Sequence, residues 1–518
     1  MRTSRGKVLL GIVFLLALMI GWPIVVHFRA KAAVRAYDKQ LRAQGEKLTI
    51  DELIPPRTAT GANGAAAFLS AARRLSSLDF NYEPSRMKAL APGHARVAWM
   101  QEVLPTEEST NIWPKLHEFI EQDARVLAEA REALKNPVLD FGLDYHQGFR
   151  LSLRHLVVLK TTVQRFSCES SLAMHEGRRE VAWADMLACA ALQQAWQNEP
   201  LLISQLVRHA ISRIVFASTW EALQYPGWSD QQLAELQARW QATGFSEIVE
   251  STFSMERAWG EGAFELWRRD YNQSLGSVGT FGAAAGGSGN LVSDLIDIGK
   301  GVWDDPKAAL DKLADQYPRF WAWKWWRSYD EELYLKKCWQ IGLDSIRLAN
   351  RKRCFVPALR ECQNARQSLA REFDQVKHSF ITEAYDEADA VESYIQRVAF
   401  AETQKEMLVA AIALKRYQLR HGKLPSELTA LIPEFLKALP YDWMDGRELR
   451  YRLHPDGQFL LYSVGEDGVD DGGDARPKTP TEIGDISKGR DWVWPTPASA
   501  QEITDYNDGM AKKRNKRR

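Results

Sequence analysis

From Val8 to Val26 not one charged residue interrupts the chain. About twenty such residues form a helix long enough to cross a bilayer. Arg2, Arg5 and Lys7 precede the run, and Trp22 stands near its far end, where an indole favours the membrane interface. A cleaved signal peptide with Ala30-Lys31-Ala32 as its processing site is the rival reading. Against it, the apolar run is long, and His27, Arg29 and Lys31 crowd the region a peptidase needs uncharged. The pattern therefore predicts an anchor over residues 1–30 that meets the membrane through residues 8–27. Arg29, Lys31, Arg35 and Lys39 follow the span, so positive charge does not by itself separate its two sides.

Beyond the anchor the apolar residues fall at helical spacing. Ala33 to Lys47 predicts a juxtamembrane helix ending near Gly45, and Pro55-Pro56 marks a linker, giving a segment 31–60. Asn63 opens an Ala-rich helix, and Glu107 to Leu134 predicts another, with Ile112, Leu116, Phe119 and Ile120 on its apolar face. Tyr145 to Leu223 reads as helical hairpins with a break at Gly177, so residues 61–274 form a helical body of α-hairpin or solenoid-like type. Residues 275–305 are Gly-rich and predict a flexible excursion, with a lid or membrane-touching loop as the alternative. A Trp-rich helical region, 306–400, follows. The mainly α fold class then closes with a small α+β module over 401–495 and a basic, disordered tail over 496–518.

Composition adds three constraints. Lys+Arg and Asp+Glu are balanced at 67 each, which argues against a whole-chain attraction to nucleic acid. The 19 Trp suit helical cores or an interfacial belt. The 5 Cys form no metal-binding spacing and read as buried thiols.

Familiar catalytic signatures fail on inspection. Gly286-Gly287-Ser288-Gly289-Asn290 ends in Asn where a nucleophile elbow needs Gly, and Gly299-Lys300-Gly301 lacks the rest of a phosphate-binding loop. His117-Glu118 and His175-Glu176 lack the second imidazole of a one-helix zinc site, since Glu121 and Arg179 stand in its place. His155 and His209 sit on apolar faces and read as satisfied core residues. The acidic run from Asp386 to Asp389, with Glu392, reads as a solvated helix face.

The C-terminal module carries the clearest signal. An amphipathic helix from Glu402 to Arg420 ends at His421-Gly422. Two short strands, Glu448 to Leu453 and Gln458 to Tyr462, flank the turn His454-Pro455-Asp456-Gly457. The loop that follows, Tyr462-Ser463-Val464-Gly465-Glu466-Asp467-Gly468-Val469-Asp470-Asp471-Gly472-Gly473-Asp474, packs four Asp into eight residues. Calcium wants six to eight hard oxygens from such a loop; a solvated acidic loop without metal is the competing reading.

The order helix, Gly-Lys-Leu-Pro, Asp442-Trp443-Met444-Asp445-Gly446, hairpin and Tyr-Ser-x-Gly-x-Asp-Gly resembles the C-terminal domain of the major pseudopilin of type II secretion. The likeness covers about the last hundred residues, and the rest of the chain resembles bacterial membrane-anchored helical proteins. The resemblance implies a calcium ion held by Asp467, Asp470, Asp471, Asp474 and Asp485. Lys7-Val8-Leu9-Leu10 stands where that family has a peptidase site, which argues against pilin assembly. Taken together, the expectation is a single-pass protein of the bacterial inner membrane with its bulk in the periplasm. Its expected role is a scaffold or binding protein with envelope protein partners. An envelope hydrolase with a site assembled across the helical groove, and a small-ligand-binding protein, are the alternatives.

Overall fold

The structure, a computed structural model, describes residues 2–75, 87–136, 138–269, 323–373, 387–477, 479 and 486–517. Side chains are described for all of these except 2–20, 23, 60, 326, 387–389 and 486. The protein is mainly helical, with small sheets. The Gly-rich segment, the first part of the expected Trp-rich region (306–322) and Asp386 lie outside the described residues.

Helix α1, Arg2–Ala43, runs without a break through both the expected anchor and the expected juxtamembrane helix. It stops as Gly45 turns into the left-handed region at φ +85°, and the Glu46 N–H reaches back to the Leu41 carbonyl. Among the described residues no helix is long and apolar enough to cross a membrane. The side chains of residues 2–20, and with them most of the apolar run, lie outside that set. A short helix α2, Ile50–Leu53, occupies the expected linker, and it is not loose: Ile50, Leu53 and Ile54 pack against Met255 and Trp259.

The body comprises α3 (Ala65–Ala72), α4 (Trp113–Ala133), α5 (Arg154–His175), α6 (Arg179–Ala195), α7 (Leu202–Leu223), α8 (Asp230–Gln241) and α9 (Val249–Arg269). Then come α10 (Ser328–Lys352), α11 (Phe355–Glu372), α12 (Glu387–His421) and α13 (Ala500–Arg517). Helices α5 and α6 form the expected hairpin, turning at Gly177 with φ +75°. Helix α4 starts at Trp113 and not at Glu107, because Thr106 and Ser109 close a turn of their own before Pro114 opens the helix.

Helix α12 explains how the parts cohere. Every residue from Met407 to Leu414 is buried, as expected of a helix enclosed on all sides. That half joins the core made by α3 to α8. Its first half, Val391 to Ala401, joins a second core with Phe253, Leu343, Phe355 and Trp492. The boundary drawn at residue 401 therefore cuts a continuous helix. Packing between elements this remote in sequence joins the body to the C-terminal module.

Strands β1 (Lys88–Ala91), β2 (His94–Arg96) and β8 (Thr496–Pro497) form one sheet, so the start of the body is stitched to the end of the module. Strands β3 (Tyr441–Asp442) and β4 (Arg447–Glu448) make a small ribbon; β5 (Arg450–Leu453), β6 (Phe459–Ser463) and β7 (Trp492–Val493) make a third sheet. The predicted hairpin is present as β5 and β6, with His454 and Gln458 closing the turn. Trp220 seals the junction from the body side: fully buried, it donates from Nε1 to the Pro495 carbonyl at 2.9 Å.

The tail expected to be disordered is the helix α13. Ser499 caps it through Glu502, which also meets His94 at 2.7 Å, while Arg96 lies over the Tyr506 ring. Local capping and contacts to β1 and β2 supply the order that composition did not suggest. All five cysteines are free and buried, as expected.

Candidate functional site: the acidic C-terminal loop

The loop after β6 is built on two buried aspartates that carry no exposed surface, Asp442 and Asp491. Asp442 accepts from the Met444 N–H, the Ser463 hydroxyl and the Val464 N–H at 2.9, 2.8 and 3.1 Å. Arg450 also donates to it at 2.6 Å. Asp491, at the start of β7, accepts from the N–H groups of Gly473 and Asp474 at 2.7 and 3.2 Å and from Asp471 at 3.4 Å. Burial raises both carboxyls above the usual range, against the pull of these hydrogen bonds.

Two glycines let the loop fold this tightly. Gly465 and Gly473 take φ +68° and +87°, and a Cβ on either would lie 2.6 Å from Arg490 O or from Leu460. The loop also docks on the body: Arg360 of α11 donates to the Asp467 carbonyl, and Gln396 of α12 to Glu466.

Each of the four described carboxylates of the predicted set meets a partner within the chain. Asp467 accepts from the Val469 N–H at 3.1 Å in a local turn. Asp470 accepts from the Tyr462 hydroxyl and the Gly472 N–H, both at 3.0 Å, and lies 3.6 Å from Arg450 Nε. Burial pushes its pKa up, but those donors and Arg450 prevail and hold it below the usual range. Asp474 is gripped by Arg476 at 2.8 Å and held down to about 2, with Arg490 adding to the effect. Asp471 lies 4.0 Å from Arg490. Asp485 lies outside the described residues.

A calcium ion needs carboxylate oxygens that converge. These four already face partners within the chain, Asp471 and Asp474 sharing Arg490, and three guanidinium groups, Arg450, Arg476 and Arg490, stand where a cation would otherwise balance the charge. Among the described residues no group of three or more His, Cys, Asp or Glu side chains is placed to hold a metal. At the described carboxylates calcium would have to compete with these guanidinium groups. Sequence reasoning placed the loop but missed its organisers. Asp442 stood within the quoted Asp-Trp-Met-Asp-Gly motif; Asp491 had no signal beyond an acidic residue beside Trp492.

The helical body holds a second polar constellation that the sequence did not mark. Between α4, α5 and α6, the half-buried Arg131 bridges Glu169 at 2.7 Å and Asp185, both carboxylates sunk among apolar helices. Burial, then the Glu169 carboxylate, drives the Asp185 carboxyl well above its ordinary range. His155 is satisfied by Glu199 at 3.1 Å, as expected of a core histidine. His209 is not: it is buried, and among the described residues neither ring nitrogen has a hydrogen-bond partner. Burial and the neighbouring Arg208 push its pKa down to about 3. It stacks on Tyr394 at 5.4 Å, whose buried hydroxyl is likewise unpartnered. Glu392 pairs with Arg366 and Gln363 of α11, so this member of the acidic run makes a packing contact between helices.

Comparison with family models, with curated proteins and with solved structures gives no match.

Proposed function

We propose that this chain is a membrane-anchored scaffold of the bacterial envelope, with its body in the periplasm and its C-terminal module as a contact surface for envelope proteins. The observation that carries the reading is the way α1 enters the body. Its second half is clamped: Ala30, Val34 and Leu41 are buried, Asp38 pairs with the buried Lys336 at 2.6 Å, and just past its end Glu46 pairs with Arg347 and Arg257. A helix whose first half is uncharged from Val8 to Val26 thus continues directly into a rigid mount. The arginine-locked loop favours a preformed contact surface, since its shape depends on groups within the chain. The pseudopilin-like reading of the module rests on its motifs.

Fractionation and reporter fusion test the proposal. After detergent-free lysis and ultracentrifugation the full chain should sediment with membranes, and a periplasm-active reporter fused after residue 518 should give signal. Recovery in the aqueous fraction removes the anchor, and cytoplasmic reporter activity reverses the orientation.

A second reading, a small-ligand binder, is favoured by His209 and Tyr394. Buried donors and acceptors left open at one place are what a small polar ligand or ordered water satisfies. Native mass spectrometry of the purified chain should then reveal a bound small molecule that His209→Leu abolishes.

A further inference from the structure

The two faces of α1 divide cleanly just past the apolar run. Ala30 and Val34, one turn apart, with Leu41 two turns further on, are buried against the body. On the other side Trp22, Ile24, Val25 and Phe28 are exposed at 70%, 43%, 61% and 61%. Beyond Phe28 this exposed side carries Arg29, Arg35 and Lys39. The change from large apolar to charged side chains therefore falls between Phe28 and Arg29. Exposed apolar side chains gathered at one level call for a partner.

The body meets the helix at that same level. The turn Trp323–Arg327 and the start of α10 pack on α1 there, with the Trp325 ring 4.8 Å and the Tyr329 ring 5.1 Å from the His27 ring. Trp325 is 40% exposed. Lys31 lies over the Tyr329 ring at 5.7 Å and Arg268 at 4.1 Å. Lys324 and Arg327 flank Trp325 in the chain. Aromatic side chains ringed by Lys and Arg are the composition of a membrane–water interface, where indoles sit among headgroups and cations attract anionic lipid.

We infer that Trp22, Phe28, Trp325 and the cations Arg29, Lys324 and Arg327 form a collar through which the body rests on the bilayer surface and engages anionic headgroups. The inference rests on the anchor proposed above. It adds that the body does not stand off on a tether: the clamp on α1 fixes Trp325 at interface depth. The occupant is a lipid surface, because the exposed apolar face is continuous along α1 with the uncharged run that precedes it.

Depth-dependent quenching in the full-length chain tests this. The five native cysteines are buried, so a single fluorophore can be placed at Val25→Cys, Trp325→Cys or Leu419→Cys, and the protein reconstituted in vesicles carrying spin-labelled lipid. With the quencher near the headgroup, the label at 325 should be quenched several-fold more than the label at 419. The quenching at 325 should rise when phosphatidylglycerol replaces part of the phosphatidylcholine, and Lys324→Gln with Arg327→Gln should cancel that rise. Quenching at 25 without quenching at 325 keeps the anchor and overturns the collar. A label at 25 that escapes both shallow and deep quenchers removes the anchor itself. Quenching at 325 that ignores lipid charge overturns the headgroup contact.

Discussion

The acidic loop and the interior of the helical body use the same residue types to opposite ends. In the loop, Asp470 and Asp474 sit near solvent beside guanidinium groups, and their carboxyls are held below the ordinary range. In the body, Asp185, Glu221 and Glu256 are enclosed by helices, and burial drives theirs up, the latter two to about 7. Glu221 accepts from the Ala98 N–H at 2.9 Å and Glu256 from the Leu202 N–H at 2.8 Å, yet those bonds do not offset the loss of water. Hydrogen bonding alone does not decide whether a carboxyl stays charged. For Asp470 and Asp474 a close cation and some access to water tip the balance.

Removing one cation from each region is the strongest test of this contrast. Arg131→Ala leaves Glu169 and Asp185 enclosed without their shared partner. Breaking a buried ion pair on one side costs about 3–5 kcal/mol, so urea unfolding should show a loss of that size, and adding Asp185→Asn should recover part of it. Arg450 is the corresponding cation of the loop, touching Asp442, Asp445 and Asp470. Its partner Asp470 is about half exposed, unlike Glu169 and Asp185, so Arg450→Ala should cost about 2–3 kcal/mol. Equal losses at the two sites would erase the distinction.

The pH dependence should run in opposite directions. Glu221 and Glu256 keep a proton in the folded state up to about 7, whereas the unfolded chain releases it near 4.5. The folded state then binds more protons, so the stability they contribute is fully present below 4.5 and is lost as pH rises through about 7. Glu221→Gln should flatten that decline by on the order of 1–2 kcal/mol. Asp474 behaves in reverse: lowered from 3.8 to about 2, it contributes stability above 3.8 that is lost as pH falls through about 2. Asp474→Asn should leave the neutral-to-alkaline limb unchanged and shorten the acid one.

Local rules made much of the fold legible. The end of α1 at Gly45, the turn at Gly177, the end of α12 at Gly422 and the β5–β6 hairpin all follow from short-range preferences, and the structure has each of them. What escaped is non-local. No periodicity reveals that Met407 to Leu414 joins a core with helices from much earlier in the chain, or that β8 pairs with β2. The site divides the same way. An acidic, Gly-rich loop is visible from composition, but its arginine partners Arg476 and Arg490 come together only once Asp491 gathers the backbone N–H groups of Gly473 and Asp474. The order in α13 was missed for a related reason, since it depends on β1 and β2, some four hundred residues away.

The smallest expected effect bears on the loop alone. Calcium has to compete with guanidinium groups already bound to the carboxylates it needs, so adding it to the wild-type chain should leave the melting temperature unchanged. Arg476→Ala and Arg490→Ala together free Asp474 and Asp471. Exposed pairs such as these contribute below about 1 kcal/mol each, so the double variant should still fold. With those cations gone, the repulsion among Asp470, Asp471 and Asp474 is relieved by an external ion, and millimolar calcium should raise the melting temperature of the variant by a degree or two. A rise of that size already present in the wild type would mean that the ion displaces the arginines, and the loop would then be a calcium site after all.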